Sequence, residues 1–283
     1  MRLAWFTPRA IEPPGPSDDT SLLIRALRDR HAIEVIDASR AHDFVWQHSR
    51  NPFDLCVFEL GGTPAHAFIA PYAVHYPGLV LLRGVPRYDR ALQASRLVVV
   101  PHDPVAQALA DDYPGVRVRT LSPGVEPLPD EAPAVITALN WPPDGAALTF
   151  AMAGFAADRP VIVFDVPETA DWPSLDPQNW RPRDLTLSNE PICISIDPRD
   201  EAHSLRLALR RLETDPDLCA RLGPAAHTWW RQHGMVDVAA AGFESLMQEA
   251  RTVQTPATVV GDDGTGLARR ISNECDMPWS LEP

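Results

Sequence analysis

"RLVVVPHDPVAQALADDYPGVRVRTL", residues 96–121, holds an unbroken apolar run, a helical stretch and a second strand-like segment. Leu97-Val98-Val99-Val100 shows no polar alternation, which is how a strand reads when helices cover both faces of its sheet. Asp103 reads as a helix N-cap because Pro104 follows at the first helical position. A strand, a covering helix and a return strand within so short a span make a parallel α/β unit.

The pattern repeats outward from this unit. Apolar runs predict strands at Leu3–Thr7, Ala32–Ile36, Leu55–Leu60, Leu79–Leu82, Leu97–Val100 and Val116–Leu121, with helices near 20–30, 64–76, 86–94 and 103–113. This is a doubly wound, Rossmann-like domain over residues 1–121. Residues 122–134, "SPGVEPLPDEAPA", gather proline and acid and read as a linker. A reduced α/β domain follows over 135–251. Its strands are expected at Ala134–Ala138, Val161–Val166 and Ile192–Ile196, and its helices at 145–157, 200–213, 216–222, 224–233 and 235–251. Gly223 ends one of these helices and Pro224 starts the next. Leu205, Leu209 and Leu212 form one apolar stripe, and Val236, Ala240, Phe243, Met247 and Ala250 another. Periodicity stops at 252, so residues 252–283 read as a flexible tail.

Composition narrows the function. The net charge is −13, which argues against a general nucleic-acid binder. All 25 basic residues are arginine, so no Schiff-base lysine and no P-loop lysine can operate. Cys56, Cys193, Cys219 and Cys275 match no metal or redox spacing, and the histidines lack His-x-His or His-x-x-x-His pairs, so no metal site is expected. Cys56 and Cys193 read as buried reduced thiols. With no signal peptide and no apolar run long enough to span a bilayer, a cytoplasmic protein is expected.

Several stretches together resemble the family-4 glycosyltransferases. These are "LAWFTP" (3–8), "FDLCVFELGGTPAHAFIAPYAVHYPGLVLL" (53–82), residues 96–118, "SPGVEP" (122–127), "DRPVIVFDV" (158–166) and "SLRLALRRLETDPDLCARLG" (204–223). The resemblance implies a GT-B fold, with a cleft between two Rossmann-like domains and a nucleotide-sugar as co-substrate, and no further cofactor. It places His66 and Arg83 at the reaction centre. It turns Gly145 and Ala146 toward the donor, with Asp165 and Glu168 lining the cleft.

The chain departs from the family pattern at five places. The Gly-rich turn after the first strand is Pro13-Pro14-Gly15-Pro16-Ser17-Asp18-Asp19, short of backbone donors and rich in charge that repels phosphate. Arg83-Gly84 stands where the family has His-Asp. Pro123 replaces the hinge histidine. The family's Gly-Glu-Thr-Ser-Gly falls on Gly145-Ala146-Ala147-Leu148-Thr149, so Ala146 replaces the glutamate, and Asp158 stands where a glycine precedes the strand. The first half of the donor domain is missing.

Two readings remain open. One is a transferase moving sugar from a nucleotide-sugar onto a glycan or small-molecule acceptor. The other is a non-catalytic homologue that binds a glycan, a nucleotide or an active transferase subunit, or pairs with itself to cover exposed core surface. The loop 165–180 interleaves acids with Trp172 and Trp180, a composition suited to carbohydrate or to simple core anchoring.

Overall fold

A computed structural model describes residues 1–8, 18–83, 88–140, 145–183 and 190–254. The Pro13–Ser17 stretch, Gly84, Asp144, Cys275 and the tail from 255 onward lie outside these residues.

The first sheet is built from β1 (Arg2–Phe6), β2 (Ala32–Ile36), β3 (Leu55–Leu60), β4 (Leu79–Leu82), β5 (Leu97–Val100) and β6 (Val118–Thr120). All pairs are parallel, in the order β2-β1-β3-β4-β5-β6. Between the strands run α1 (Asp19–Leu27), α2 (Ala41–Arg50), α3 (Ile69–His75), α4 (Asp89–Ala94) and α5 (Asp103–Asp112). Because side chains alternate along a strand, β3 splits its residues between two cores. Cys56, Phe58 and Leu60 face α2–α5 through Phe44, Ile69, Tyr72, Leu92 and Leu109. Leu55 and Val57 share the other face with Leu3 and Trp5.

The second sheet contains β7 (Ile136–Ala138), β8 (Val161–Phe164), β9 (Ser174–Leu175) and β10 (Cys193–Ile196), all parallel in the order β7-β8-β10-β9. One face carries α6 (Gly145–Ala156) and the second half of α8 (Pro216–His233), with Phe155, Ala226 and Trp230 on Val161 and Val163. The other carries α7 (Glu201–Thr214) and the start of α8. The last helix, α9 (Val236–Thr252), crosses back to the first sheet. Ala240, Phe243, Met247 and Ala250 pack on Leu3, Trp5 and Leu97, and Phe243 lies 5.2 Å from the Trp5 ring. The stripe read from the sequence is therefore core, and the core it fills belongs to the first sheet.

Four local expectations change. Helix α2 was absent from the sequence reading. Its buried face is only Ala41 and Phe44, set among polar residues. The short pair β9 was also absent. Helix α8 runs unbroken through Gly223-Pro224. Gly223 permits the Asp158 backbone to lie against the helix, where any Cβ would collide with the Asp158 carbonyl, so its role is packing and not termination. In α7 the buried residues are Ser204, Ala208 and Leu212, while Leu209 is 41% exposed and leaves the stripe.

Asp158 adopts φ 57°, the left-handed region that glycine enters without steric cost. The carboxylate-bearing residue keeps the turn that a glycine would make. Cys56 and Cys193 are buried and free, and burial pushes the Cys56 thiol up to about 12, so neither is a nucleophile at neutral pH. Among the described residues no helix is long and apolar enough to cross a membrane, and none of their His, Cys, Asp and Glu side chains cluster as a metal site.

Candidate functional site

Open parallel sheets bind ligands beyond the carboxyl ends of their strands, above all where the strand order reverses. Here the order reverses at β1, which lies between β2 and β3. A buried charged network occupies that place. Arg83, one residue past β4, bonds Asp19 Oδ2 through Nη1 at 2.6 Å and donates to Thr20 Oγ1 through Nη2 at 3.1 Å. Thr20 donates in turn to Glu59 Oε1 at 3.0 Å. Glu59 Oε1 also lies 3.7 Å from Arg83 Nε. Side-chain exposures are 20%, 15% and 8% for Arg83, Asp19 and Glu59, so water screens these charges little.

Burial pushes the Asp19 carboxyl above its ordinary value, and the adjacent Arg83 pulls against that rise. The guanidinium is held charged by Asp19 and Glu59 despite its own burial. Arg83 Nε and Glu59 Oε2 remain buried without hydrogen-bond partners. The guanidinium that the resemblance places at the reaction centre thus meets the chain's own Asp19. The gap beside it, bounded by Asp19, Arg83, Pro101, Ser122, Gly124 and Ala239, has a cavity volume of about 20 Å³. That is room for about one water.

His66 sits past β3 in a 3₁₀ turn, Pro64–His66, with Nδ1 2.8 Å from Thr63 Oγ1. Its ring lies over Gly61, where a Cβ would come within 2.7 Å of it. Gly61 also accepts the Tyr88 hydroxyl at 2.7 Å through its carbonyl. The sequence marked His66, and only a glycine at position 61 leaves room for its ring.

On the second sheet Asp165 follows β8 and pairs with Arg183 at 2.7 Å. Arg183 is anchored from behind, donating through Nε and Nη2 to the Ser195 carbonyl at 3.1 and 2.8 Å. These two residues border an open trough of about 420 Å³, which Thr169, Trp172, Ser174, Asp176 and Asn179 also line. Asn179 donates to Asp176 at 2.9 Å. Trp172 is a core residue with one edge on the trough, stacked edge-on against Phe155 at 5.1 Å. Glu168 lies in the 3₁₀ turn Pro167–Thr169 and buries Oε2 without a partner. Gly145 opens α6 after β7. The buried residues that follow, Ala147, Leu148, Ala151 and Met152, are mostly apolar, while Ala146 is exposed.

His102 joins the two sheets. It takes the N-cap position of α5, one residue before the Asp103 expected there, without a side-chain cap bond; it is 3% exposed and faces Trp172 edge-on at 6.1 Å. Its Nε2 has no partner, and burial pushes the imidazole down to about 4. Nearby, burial and Asp103 raise the Asp171 carboxyl. The 122–128 segment is clasped by the late helices: Val125 N donates to Gly234 O at 2.9 Å and Trp230 Nε1 to Val125 O at 3.3 Å. A Cβ on Gly124 would meet Val236 Cα at 2.8 Å, so only glycine lets α9 approach.

No family model matches the sequence, and no curated protein matches it significantly. Among solved structures, a sucrose-phosphate synthase from Thermosynechococcus elongatus is similar at TM-score 0.60 and 12% identity, over 88% of this chain and 98% of that one. A glycosyltransferase from Rickettsia africae ESF-5 is similar at TM-score 0.56 and 10% identity, over 89% and 99%. One neighbour is described as a sucrose-phosphate synthase and the other as a glycosyltransferase, and at these identities the likeness establishes fold. It bears out the α/β, GT-B-like architecture with a reduced second sheet.

Proposed function

We propose that this protein is a glycosyltransferase-like binding protein that takes a sugar-bearing ligand at the carboxyl end of its second sheet and no longer transfers the sugar. The observation that carries this reading is the Arg83 network. A cation serving a donor phosphate or a leaving group has to be available to it. Arg83 is instead neutralised by Asp19 at 2.6 Å, inside a gap of about 20 Å³. The trough beside Asp165 has the opposite character: it is open, polar and rigidly supported by the Arg183 anchor. Fixed acceptors and donors beside an indole edge suit hydroxyl groups of a sugar. The ligand in this reading is a glycan or nucleotide-sugar, and its partner is a catalytic transferase or a second copy of the chain.

A transferase is the second reading, favoured by two carboxylates, Asp165 and Asp176, bordering the same open trough. Thermal-shift screening with UDP-, GDP- and ADP-sugars and with oligosaccharides, followed by a donor-turnover assay, separates the two. A ligand at about a hundred times its Kd raises stability by roughly 2.7 kcal/mol. The binding reading expects a saturable shift without turnover. Donor-dependent transfer to any acceptor overturns it in favour of the enzyme, and the lack of a shift with every sugar and nucleotide removes both.

A further inference from the structure

Among the described residues, three arginines bury Nε without an acceptor: Arg83, Arg159 and Arg96. The first two are served through their other nitrogens, Arg83 by Asp19 and Thr20, Arg159 by the Asp130 carbonyl at 3.3 Å. Arg96 differs. Among the described residues its guanidinium makes no ion pair and no hydrogen bond, although the side chain is half-buried. A buried donor left unmatched costs stability, and a native chain that keeps one needs a reason.

Arg96 borders a pocket of about 220 Å³ with His48, Phe53, Cys56, His75 and Tyr76. The pocket lies at the amino ends of β3, β4 and β5, the opposite edge of the sheet from the Arg83 network. Its wall is aromatic. His48 stacks on Phe53 at 5.9 Å with 9° between the planes, and Tyr76 meets His48 edge-on at 5.3 Å. The one carboxylate on the rim, Asp54, is occupied by the Arg2 backbone N–H at 2.7 Å. Cys56 stays a neutral thiol, because burial lifts it to about 12 against the pull of Arg96. The ends of α2 and α3 add only about half a charge each of the opposite sign, within reach of their last turns. An unpaired guanidinium in a pocket walled by flat rings, in a chain of net charge −13, is a specific feature.

We infer that this pocket is a second binding site, for a small anion carried on a flat ring, such as an aryl carboxylate or aryl phosphate. Arg96 supplies the counter-charge and the rings of His48 and Tyr76 the walls. The volume, below the roughly 300 Å³ at which ordinary ligand pockets begin, suits a small anion better than a nucleotide-sugar. The inference stands apart from the sugar-binding reading, since this pocket lies on the first sheet and the trough on the second.

Titration calorimetry on the full chain tests it with phenyl phosphate, inorganic phosphate and phenol as probes. Phenyl phosphate should bind saturably, with phosphate weaker and phenol without saturation. Arg96→Gln should weaken binding about tenfold, and Arg96→Lys, which keeps the charge but not the planar fork, by less. Thermal unfolding of both variants checks that each remains folded. No saturable binding of phenyl phosphate up to about 10 mM overturns the inference. So does unchanged binding in Arg96→Gln, equal binding of phosphate, which would make this a site for an adventitious ion only, or equal binding of phenol.

Discussion

The carboxyl ends of the two sheets hold the same kind of pair, an arginine on an aspartate, with opposite consequences. Arg83–Asp19 is buried to 20% and 15% exposure, backed by Thr20 and Glu59 and closed over about 20 Å³. In Arg183–Asp165 the arginine is covered almost as well, at 25%, but the aspartate is 44% exposed, and the pair is anchored to a strand carbonyl and open to about 420 Å³. Burial turns the first pair into a structural element whose charges are coupled to stability. Exposure leaves the second with little bearing on stability and with atoms to offer a ligand.

The largest expected effect comes from breaking the buried pair. Arg83→Met leaves Asp19 and Glu59 facing each other without a cation, which should cost about 3–5 kcal/mol in chemical denaturation. Adding Glu59→Gln should recover part of that loss, because it removes one of the two stranded charges. If Arg83→Met costs less than about 1 kcal/mol, the pair is effectively solvated, and the contrast between the two ends disappears.

His102 gives the next effect, and it depends on pH. Its folded value is pushed down to about 4 by burial, against about 6.5 in an unfolded chain. The unfolded state therefore takes up a proton first as the pH falls. This stabilising contribution is complete above about pH 6.5 and is lost toward pH 4, by about 3 kcal/mol at the limit. Urea melts of His102→Phe and the parent across that range should diverge by this amount, with the parent losing more. Parallel curves would mean that water reaches Nε2.

Gly124→Ala is smaller. The added Cβ meets Val236 Cα at 2.8 Å and Ala239 Cβ at 2.9 Å, both on the helix that returns to the first sheet. Forcing that approach apart should cost about 1–3 kcal/mol by thermal unfolding. A neutral result would mean that α9 yields freely, so that the spacing between the two ends is adjustable.

Much of the fold was legible because strand signals were uninterrupted: Leu97-Val98-Val99-Val100 and Leu79–Leu82 lie where their apolar runs predict. Helix α2 was missed because its buried face is only two residues wide and Arg40, in the cap position, makes no side-chain cap bond. The Gly223-Pro224 pair misled because glycine as a packing residue and glycine as a stop signal read alike without the Asp158 backbone in view. At the site, Glu59 was passed over inside the Leu55–Leu60 run, although a charged residue in an apolar strand demands a partner. Its partners were not visible: Arg83 and Thr20 are 63 positions apart and meet only through strand order. Arg183 carried no local signal, since its role comes from the Ser195 carbonyl, 12 positions further on in β10.

The smallest effect on stability should come from the open pair, and it carries the most functional information. Asp165→Asn keeps the shape of the trough, removes one exposed charge and should change stability by less than about 1 kcal/mol. Arg183 should stay in place, because two of its nitrogens are bound to Ser195 and not to Asp165. Any sugar ligand that accepts a fixed geometry from Asp165 loses one charge-assisted hydrogen bond, so its Kd should rise about tenfold by calorimetry. The buried pair predicts the reverse: stability falls steeply, while a ligand in the trough keeps every hydrogen bond it makes. An Asp165→Asn variant that unfolds as readily as Arg83→Met, or binds sugar as well as the parent, would show that the trough is scaffold. The ligand would then have to be sought at the junction that His102 and Trp172 close.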